Sequence, residues 1–118
     1  MQLNWTDRKE IKEENIINIK KTSGVYRLIY FSPIKNDYYI YYVGQAEDLN
    51  KRISEHLLGQ ETNSCCVKYL KNYTCYFRVA EVEKKEDRDA IEVTLYAHFK
   101  PTCVDIKPDA KPIEINFI

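Results

Sequence analysis

The sequence has neither a net charge nor a long apolar run, and each absence excludes a class of protein. Its 18 Lys and Arg residues are balanced by 18 Asp and Glu residues, which argues against the strongly basic surface of a tight, autonomous nucleic-acid binder. The first residues, from Met1 to Glu14, include several acids and lack the apolar stretch of a secretory signal or a transmembrane helix. We therefore expect a protein that does not associate with membranes and that resides in the cytoplasm.

The four cysteines lack the spacing of any familiar site. None of the four cysteines forms a C-x-x-C pair, and a bridge between the adjacent Cys65 and Cys66 would be strained. Neither a disulfide framework nor a zinc knuckle is indicated. A zinc site made of Cys65, Cys66 and His98 also fits no known spacing, and His98 is better explained as a residue that complements a helix dipole. We expect reduced, mostly buried thiols.

The length and composition fit one α+β domain. With 118 residues, of which 44% are hydrophobic, the chain can fill one core and has no room for a second domain. We expect a small, mainly antiparallel sheet of three strands flanked by helices. Apolar periodicity and turn-forming residues predict the elements in this order: a helix over about 6–20, strands over 25–31 and 38–43, a helix capped by Asp48 and ended by Gly59, a helix over 64–71, a strand over 73–82, a helix over 86–99 and an extended tail over about 107–118.

Two polar residues border the apolar stripe of the helix that Asp48 caps. Leu49, Ile53 and Leu57 recur every fourth residue as its core-facing stripe. Arg52 and His56 are four residues apart on one flank of that stripe. A guanidinium is a planar donor that suits a phosphate, so this pair could line a cleft. The alternative is a surface arginine and a hydrogen-bonded structural histidine.

Glu92 lies in an apolar segment of the last predicted helix. A carboxylate at the edge of a core is unfavourable unless it has a partner. A metal ion or a buried base could be that partner. The alternative is a carboxylate that turns to solvent or pairs with Arg88, four residues earlier.

Two tripeptides on neighbouring predicted strands resemble a nuclease signature. Gly24-Val25-Tyr26 and Tyr42-Val43-Gly44 are similar to the paired motif of the GIY-YIG nuclease superfamily, with valine in place of each central isoleucine. The family then places an arginine on the next helix, a tyrosine or histidine one turn later and a metal-binding glutamate on a later helix. Arg52, His56 and Glu92 occupy those places. The ordered set is a more specific match than either tripeptide alone, and it extends over roughly residues 22–106.

The resemblance implies a GIY-YIG-like fold and a metal-dependent endonuclease, with DNA as the expected nucleic-acid substrate. Glu92 would bind one Mg²⁺ or Mn²⁺ ion, and Arg52 would grip the scissile phosphate. Tyr26 or Tyr42 would take the proton from the attacking water. We expect Tyr26, assisted by His56, because a phenol with an ordinary pKa of about 10 needs an acceptor or a cation nearby. Residues expected to contact the substrate are Gly44, Gln45 and Lys51.

The sequence departs from the family pattern at two positions. Many members have a lysine where this chain has Gln45, and Val104 stands where members often have an asparagine. Two functions therefore stay open. The first is an active endonuclease that gains affinity and specificity from an additional domain, a specificity subunit or a dimer partner. The second is a catalytically weak module that uses the same fold to bind nucleic acid or another protein.

Overall fold

Four antiparallel strands form the sheet on which the helices pack, in a computed structural model that describes residues 1–58, 60 and 63–118. The strand order is β1-β4-β2-β3. The α+β class and the antiparallel sheet are confirmed, and the three predicted strands are joined by a short fourth one, β1. The elements are β1 (Lys9–Glu10), α1 (Glu13–Ile16), β2 (Gly24–Ser32), β3 (Asp37–Ala46), α2 (Leu49–Leu57), α3 (Ser64–Asn72), β4 (Cys75–Glu81) and α4 (Lys85–Phe99).

The predicted helix over residues 6–20 is wrong. Strand β1 lies inside that range and pairs with β4, and α1 has only four residues. Thr6, which resembles a helix cap in the sequence, binds the sheet instead: its N–H donates to the Val79 carbonyl at 2.9 Å, and its hydroxyl accepts from the Val79 N–H at 3.0 Å. The apolar pattern marks separate buried points in an irregular segment, namely Ile11, Ile16 and Ile19.

The two faces of the sheet bury different side chains, because successive residues of a strand point in opposite directions. Tyr26 belongs to the apolar cluster under α2 and α3. Val25 belongs to the cluster under α4. A register shift in the pairing of β2 with β3 allows the successive residues Tyr41 and Tyr42 to enter the same cluster as Tyr26. The shift therefore adds a tyrosine to the face that carries the signature residue.

The start of β2 packs too closely on its neighbours for any side chain. A Cβ atom at Gly24 would lie 2.2 Å from the Ala80 carbonyl oxygen. Helix α2 begins as predicted, because the Asp48 side chain accepts from the Lys51 N–H. Gly59, the predicted end of this helix, lies outside the described residues. Asn63 caps α3 in the same way and accepts from two N–H groups of its first turn.

A disulfide joins Cys65 and Cys103, with their Cα atoms 5.6 Å apart, so the prediction of reduced thiols is wrong for this pair. Cys66 and Cys75 are free and buried. The bridged residues are 38 positions apart. The bridge could not be predicted from that spacing, because it forms only if α3 contacts the segment that follows α4. The Cys103 N–H also donates to the Tyr41 carbonyl at 2.8 Å. The start of the tail is thus fixed against both α3 and β3.

The end of the chain, from Lys107 on, contains no helix or strand. It packs beside the first residues: the Leu3 N–H donates to Asn116 Oδ1 at 2.6 Å, and Asn116 Nδ2 donates to the Leu3 carbonyl at 2.8 Å. Throughout the described parts of the chain, every helix is too short or too polar to cross a bilayer.

Candidate active site

Tyr26 and His56 form the buried centre of the candidate site. Tyr26 faces Gly44 across the β2–β3 pair, and a Cβ atom at Gly44 would lie 2.6 Å from the Tyr26 hydroxyl. Glycine at this position leaves room for the phenol to lie over β3. The Tyr26 hydroxyl is 3.4 Å from His56 Nε2, and the two residues are only 1% and 3% exposed. The imidazole accepts from the phenol in the tautomer that carries its proton on Nδ1.

Tyr42 adds a second phenol with a different partner. Its ring centre is 6.1 Å from that of Tyr26 and 5.8 Å from that of His56. Its hydroxyl donates to Asp105 Oδ2 at 2.6 Å. Burial raises the pKa of Tyr42 far above its ordinary value, and the neighbouring Tyr26 and the contact with Asp105 raise it further, while Arg52 lowers it. At neutral pH Tyr42 therefore keeps its proton and acts as a donor.

Asp105 is the site residue that the sequence did not reveal. Besides binding Tyr42, its Oδ1 accepts from Asn63 Nδ2 at 3.0 Å, and its N–H donates to the Tyr96 hydroxyl at 3.4 Å. The preceding Val104, which stands at the family's asparagine position, is 51% exposed. A polar residue one position after that place was the only signal in the sequence that pointed to Asp105.

Arg52 lies on α2, one turn before His56. It is partly buried, and its Nη1 is 4.0 Å from Glu55 Oε1. Its positive charge acts on Tyr42, whose pKa it lowers.

Glu92 is buried on α4, with 7% of its surface exposed. Burial raises the pKa of its carboxyl group to about 7, a hydrogen bond with Gln45 opposes the rise, and the negative charges of Asp89 and Asp105 add to it. The positive charge of Lys85 lowers the pKa of Glu92. At neutral pH this carboxyl group is therefore close to its titration midpoint.

Gln45 connects β3 to α4 next to Glu92. Its Nε2 donates to Asp89 Oδ1 at 2.7 Å, and its Oε1 accepts from Arg88 Nε at 3.4 Å. The Arg88 Nη1 donates to the carbonyl oxygens of Val82 at 3.1 Å and Glu83 at 2.6 Å. Arg88 thus secures the chain between β4 and α4, which is a different role from the pairing with Glu92 considered above.

An open cleft of about 630 Å³ extends from Glu92 to the tail. Gln45, Asp89 and Glu92 line one side, and Lys85 and Lys107 bring positive charge to it. Lys51, which was expected to contact substrate, lies exposed near the start of α2. The cleft has room for a phosphate group and ends at the carboxylate predicted to bind metal.

The donor chemistry around Glu92 fits a divalent cation. A buried carboxyl group with a raised pKa, close to two further carboxylates, gains from a positive charge, and carboxylate oxygens are the ligands that Mg²⁺ prefers. Among the described residues no group of three or more His, Cys, Asp or Glu side chains converges to hold a metal. A cation here would therefore take Glu92 and complete its coordination with water and substrate oxygens.

Asp105 lies between the aromatic part of the site, with Tyr42, and the carboxylate part, with Glu92. Its carboxylate binds Tyr42, and its charge raises the pKa of Glu92. Asp105 is thus hydrogen-bonded to one predicted site residue and acts weakly, through its charge, on another.

Comparisons with known proteins identify the fold. Neither a protein-family model nor a curated protein matches the sequence. Solved structures of the GIY-YIG N-terminal endonuclease domain of UvrC from Thermotoga maritima do match. A point mutant bound to its catalytic divalent cation is 17% identical with a TM-score of 0.59, over 79% of this chain and 93% of that one. The magnesium-bound domain is 18% identical with a TM-score of 0.56, over 75% and 90%. The chain therefore has the fold of a GIY-YIG endonuclease domain.

Proposed function

We propose that this protein is a metal-dependent endonuclease that hydrolyses phosphodiester bonds of nucleic acid, with DNA as the first candidate substrate. The observation that supports it most is the contact between the Tyr26 hydroxyl and His56 Nε2, at 3.4 Å, on a fold shared with a cation-bound endonuclease domain. A buried phenol facing an imidazole is an arrangement suited to moving a proton.

Tyr26 and His56 would together accept the proton of the attacking water. The water oxygen would form a bond to phosphorus as its proton passes to the Tyr26 oxygen and the Tyr26 proton passes to His56 Nε2. The bond from phosphorus to the leaving sugar oxygen breaks in the same step, and that oxygen keeps the electron pair and takes a proton from solvent. This relay avoids a free phenolate, which an ordinary tyrosine forms only to about 0.1% at neutral pH. The imidazolium that results can release its proton between turnovers.

Tyr42 would position the water or the phosphate and would keep its own proton. Its proton is held by Asp105, so its ring and hydroxyl orient the water or the phosphate beside Tyr26. Gly44 keeps the space above β3 open for Tyr26. Arg52 contributes positive charge, and its guanidinium would bind oxygens of the scissile phosphate.

Glu92 would hold a divalent cation, Mg²⁺ or Mn²⁺, at the end of the cleft. The bound cation would supply positive charge to the phosphoryl oxygens as the water attacks. Gln45 would orient the Glu92 carboxylate by hydrogen bonding. Many members have a lysine at the position of the neutral Gln45. In this chain Lys85 and Lys107 would provide the positive charge of the cleft instead.

Affinity and specificity would come from a further domain, a specificity subunit or a second copy of the chain, because the balanced net charge gives little general attraction to nucleic acid. With a nucleic-acid substrate, we expect the reaction to take place in the cytoplasm.

Cleavage assays test the proposal. The parent protein is incubated with labelled duplex, flapped and single-stranded DNA and with RNA, in Mg²⁺, in Mn²⁺ and in excess chelator. We expect metal-dependent cutting of at least one substrate. Glu92→Gln, which keeps the size of the side chain, should reduce the rate by at least about 100-fold, whereas Glu86→Gln on the exposed first turn of α4 should cut normally. The proposal fails if no substrate is cut, or if cutting persists in chelator or in Glu92→Gln.

A catalytically weak binding module is the second candidate, and the observation in its favour is Gln45. This side chain is engaged by Asp89 and Arg88, so it adds no positive charge near the phosphate. Nucleic-acid binding that is unaffected by chelator, without strand cutting under any condition above, would favour this candidate.

A further inference from the structure

An arginine cluster lies on the α4 face of the sheet, opposite the face that carries Tyr26. Arg27 of β2 and Arg78 of β4 are direct cross-strand partners. Like charges in that position destabilise a sheet. A contribution to the stability of the sheet therefore does not explain why two arginines face each other here.

Arg27 is almost completely buried, with 3% of its surface exposed. Its guanidinium lies between the rings of Trp5 and Phe99, 4.6 Å and 5.0 Å from their centres. Its Nε and Nη1 are buried and have no hydrogen-bond partner among the described residues. Burial and the charge of Arg78 lower the pKa of Arg27 to about 10, so it stays a cation at neutral pH.

The oxygen that these two arginines share is uncharged. The Phe117 carbonyl accepts from Arg27 Nη2 and from Arg78 Nη1 at 3.5 Å. Asp7 is the acid that acts on Arg78, but no acidic side chain lines the pocket among the described residues. The backbone oxygen of Ile118 accepts from Asn116 Nδ2 rather than from an arginine. Two guanidinium groups thus converge on a neutral atom, and an anionic oxygen would bind there more strongly.

Aromatic rings and a further cation border this pocket, which has a volume of about 370 Å³. The Arg8 guanidinium lies 3.4 Å from the centre of the Tyr38 ring. The Tyr38 ring also meets the rings of Phe31 and Tyr76 edge-on, with centres 5.1 Å and 5.4 Å away. Arginines interleaved with accessible rings form the surface that binds a single nucleic-acid strand, because phosphates meet the cations and bases stack on the rings.

We propose that the pocket formed by Arg8, Arg27 and Arg78 binds a backbone phosphate of a nucleic-acid strand, whose oxygen takes the place of the Phe117 carbonyl. Tyr38 stacks an adjoining base. The proposal rests on the proposed function only for its choice of nucleic acid as the ligand. Gln45 follows Tyr38 by seven positions along β3, which is about 24 Å along a strand. A bound strand therefore reaches from this pocket to the Glu92 cleft over roughly seven nucleotides.

Binding measured in chelator tests the pocket separately from cleavage. The probe is a fluorescein-labelled single-stranded DNA of about 20 nucleotides, followed by anisotropy over a series of salt concentrations. The test variant is Arg8→Gln with Arg78→Gln. The control is Lys68→Gln with Lys111→Gln, which removes the same charge from two exposed positions outside the pocket. Unfolding temperatures establish that both pairs fold, and Arg8→Gln alone, at an exposed residue, replaces the double variant if that one does not.

The expected result is a dissociation constant raised about fivefold or more in the arginine variant only. The slope of log affinity against log salt should fall by about 0.7 for each phosphate that the variant no longer binds. Parent-like binding by the arginine variant, equally weakened binding in both pairs or absence of parent binding would each overturn the proposal.

Calorimetry with inorganic phosphate provides a further arm. Phosphate binding that disappears in the arginine variant, with DNA binding unchanged, would assign the pocket to a free anion and overturn the nucleic-acid assignment. DNA binding that needs the arginines, without any cutting in Mg²⁺, would uphold the pocket and reject the nuclease.

Discussion

The candidate site holds one phenol on its His56 side and one on its Asp105 side, and the two phenols have different hydrogen-bond partners. Tyr26 faces an imidazole at 3.4 Å, and Tyr42 donates to a carboxylate at 2.6 Å. Burial, followed by the neighbouring Tyr26 and the Asp105 carboxylate, raises the pKa of Tyr42, whereas the imidazole provides an acceptor for the Tyr26 proton. We therefore expect the two tyrosines, whose ring centres are 6.1 Å apart, to act differently because their hydrogen-bond partners differ.

The two sides also differ in how they are held. Tyr26 is fixed by β2, by the glycine opposite it and by α2, which are regular elements. Asp105 lies in an irregular segment, and its position depends on the Cys65–Cys103 bridge and on Asn63. The Tyr26 side is thus held by regular secondary structure, while the Asp105 side is held by a disulfide and a side-chain hydrogen bond.

The largest expected effect separates the two phenols directly. Tyr26→Phe should lower the single-turnover cleavage rate by roughly 10²- to 10⁴-fold, since it removes the proton acceptor. Tyr42→Phe should lower it by only about tenfold, since it removes a positioning hydrogen bond. DNA binding in chelator should be unchanged in both. Near-normal cutting by Tyr26→Phe, or the larger decrease in Tyr42→Phe, would reverse the assignment.

Removal of the bridge should weaken the Asp105 side first. A closed loop of 38 residues contributes about 4 kcal/mol to the free energy of unfolding by restricting the unfolded chain. Cys103→Ser should therefore lower that free energy by about 2–4 kcal/mol in denaturant titration, with Cys75→Ser as a control for removal of a free, buried thiol. Hydrogen exchange should increase around residues 103–105 and stay slow on β2. Equal exchange in both regions would show that the two sides are not anchored differently.

The negative charge that Glu92 would need to bind a metal should lower the free energy of unfolding of the metal-free protein. Its folded-state pKa, about 7, lies above its ordinary 4.5, so the folded protein is stabilised by protonation of Glu92. That stabilisation is complete below pH 4.5 and is lost as the pH rises through about 7. Without metal at pH 8, Glu92→Gln should raise the free energy of unfolding by up to about 3 kcal/mol. A variant that is less stable than the parent at pH 8 would contradict the burial of an uncompensated charge.

Asp105→Asn should give the smallest effect, because it keeps an acceptor for Tyr42 and removes only the charge. The charge of Asp105 raises the pKa values of both Tyr42 and Glu92. The acid limb of the pH–rate profile, which follows Glu92, should shift to lower pH by less than about one unit. A shift to higher pH, or none, would show that Asp105 does not connect the two parts of the site.

Local sequence patterns were enough to predict the regular side of the site. Strand composition and flanking turns placed Tyr26 and Tyr42 on paired strands, and the apolar stripe of α2 oriented Arg52 and His56. The antiparallel sheet followed from the same patterns, whereas the GIY-YIG fold was predicted from the resemblance of the two tripeptides, Arg52, His56 and Glu92 to the family motif. The sequence was informative there because each residue's neighbours are set by the period of its own helix or strand.

The other side depends on contacts between distant residues, which no local period encodes. The bridge partner of Cys65, the contact of Asp105 with Tyr42 and the pairing of Arg27 with Arg78 all require knowledge of which segments meet. The prediction of an N-terminal helix was wrong for the same reason, because Thr6 binds the edge of β4 instead of capping a helix. Tertiary hydrogen bonds decided the structure of a segment whose local preference was weak.

Calorimetric titration with Mn²⁺ tests the central claim, that the buried carboxylate of Glu92 holds the catalytic cation. The parent should bind one equivalent at pH 8 and bind it about tenfold more weakly at pH 6, since a carboxyl group with a pKa of about 7 must lose its proton to bind a metal. Glu92→Gln should show no such binding, and Glu86→Gln should match the parent. Mn²⁺ binding by Glu92→Gln with the affinity and pH dependence of the parent would contradict the account.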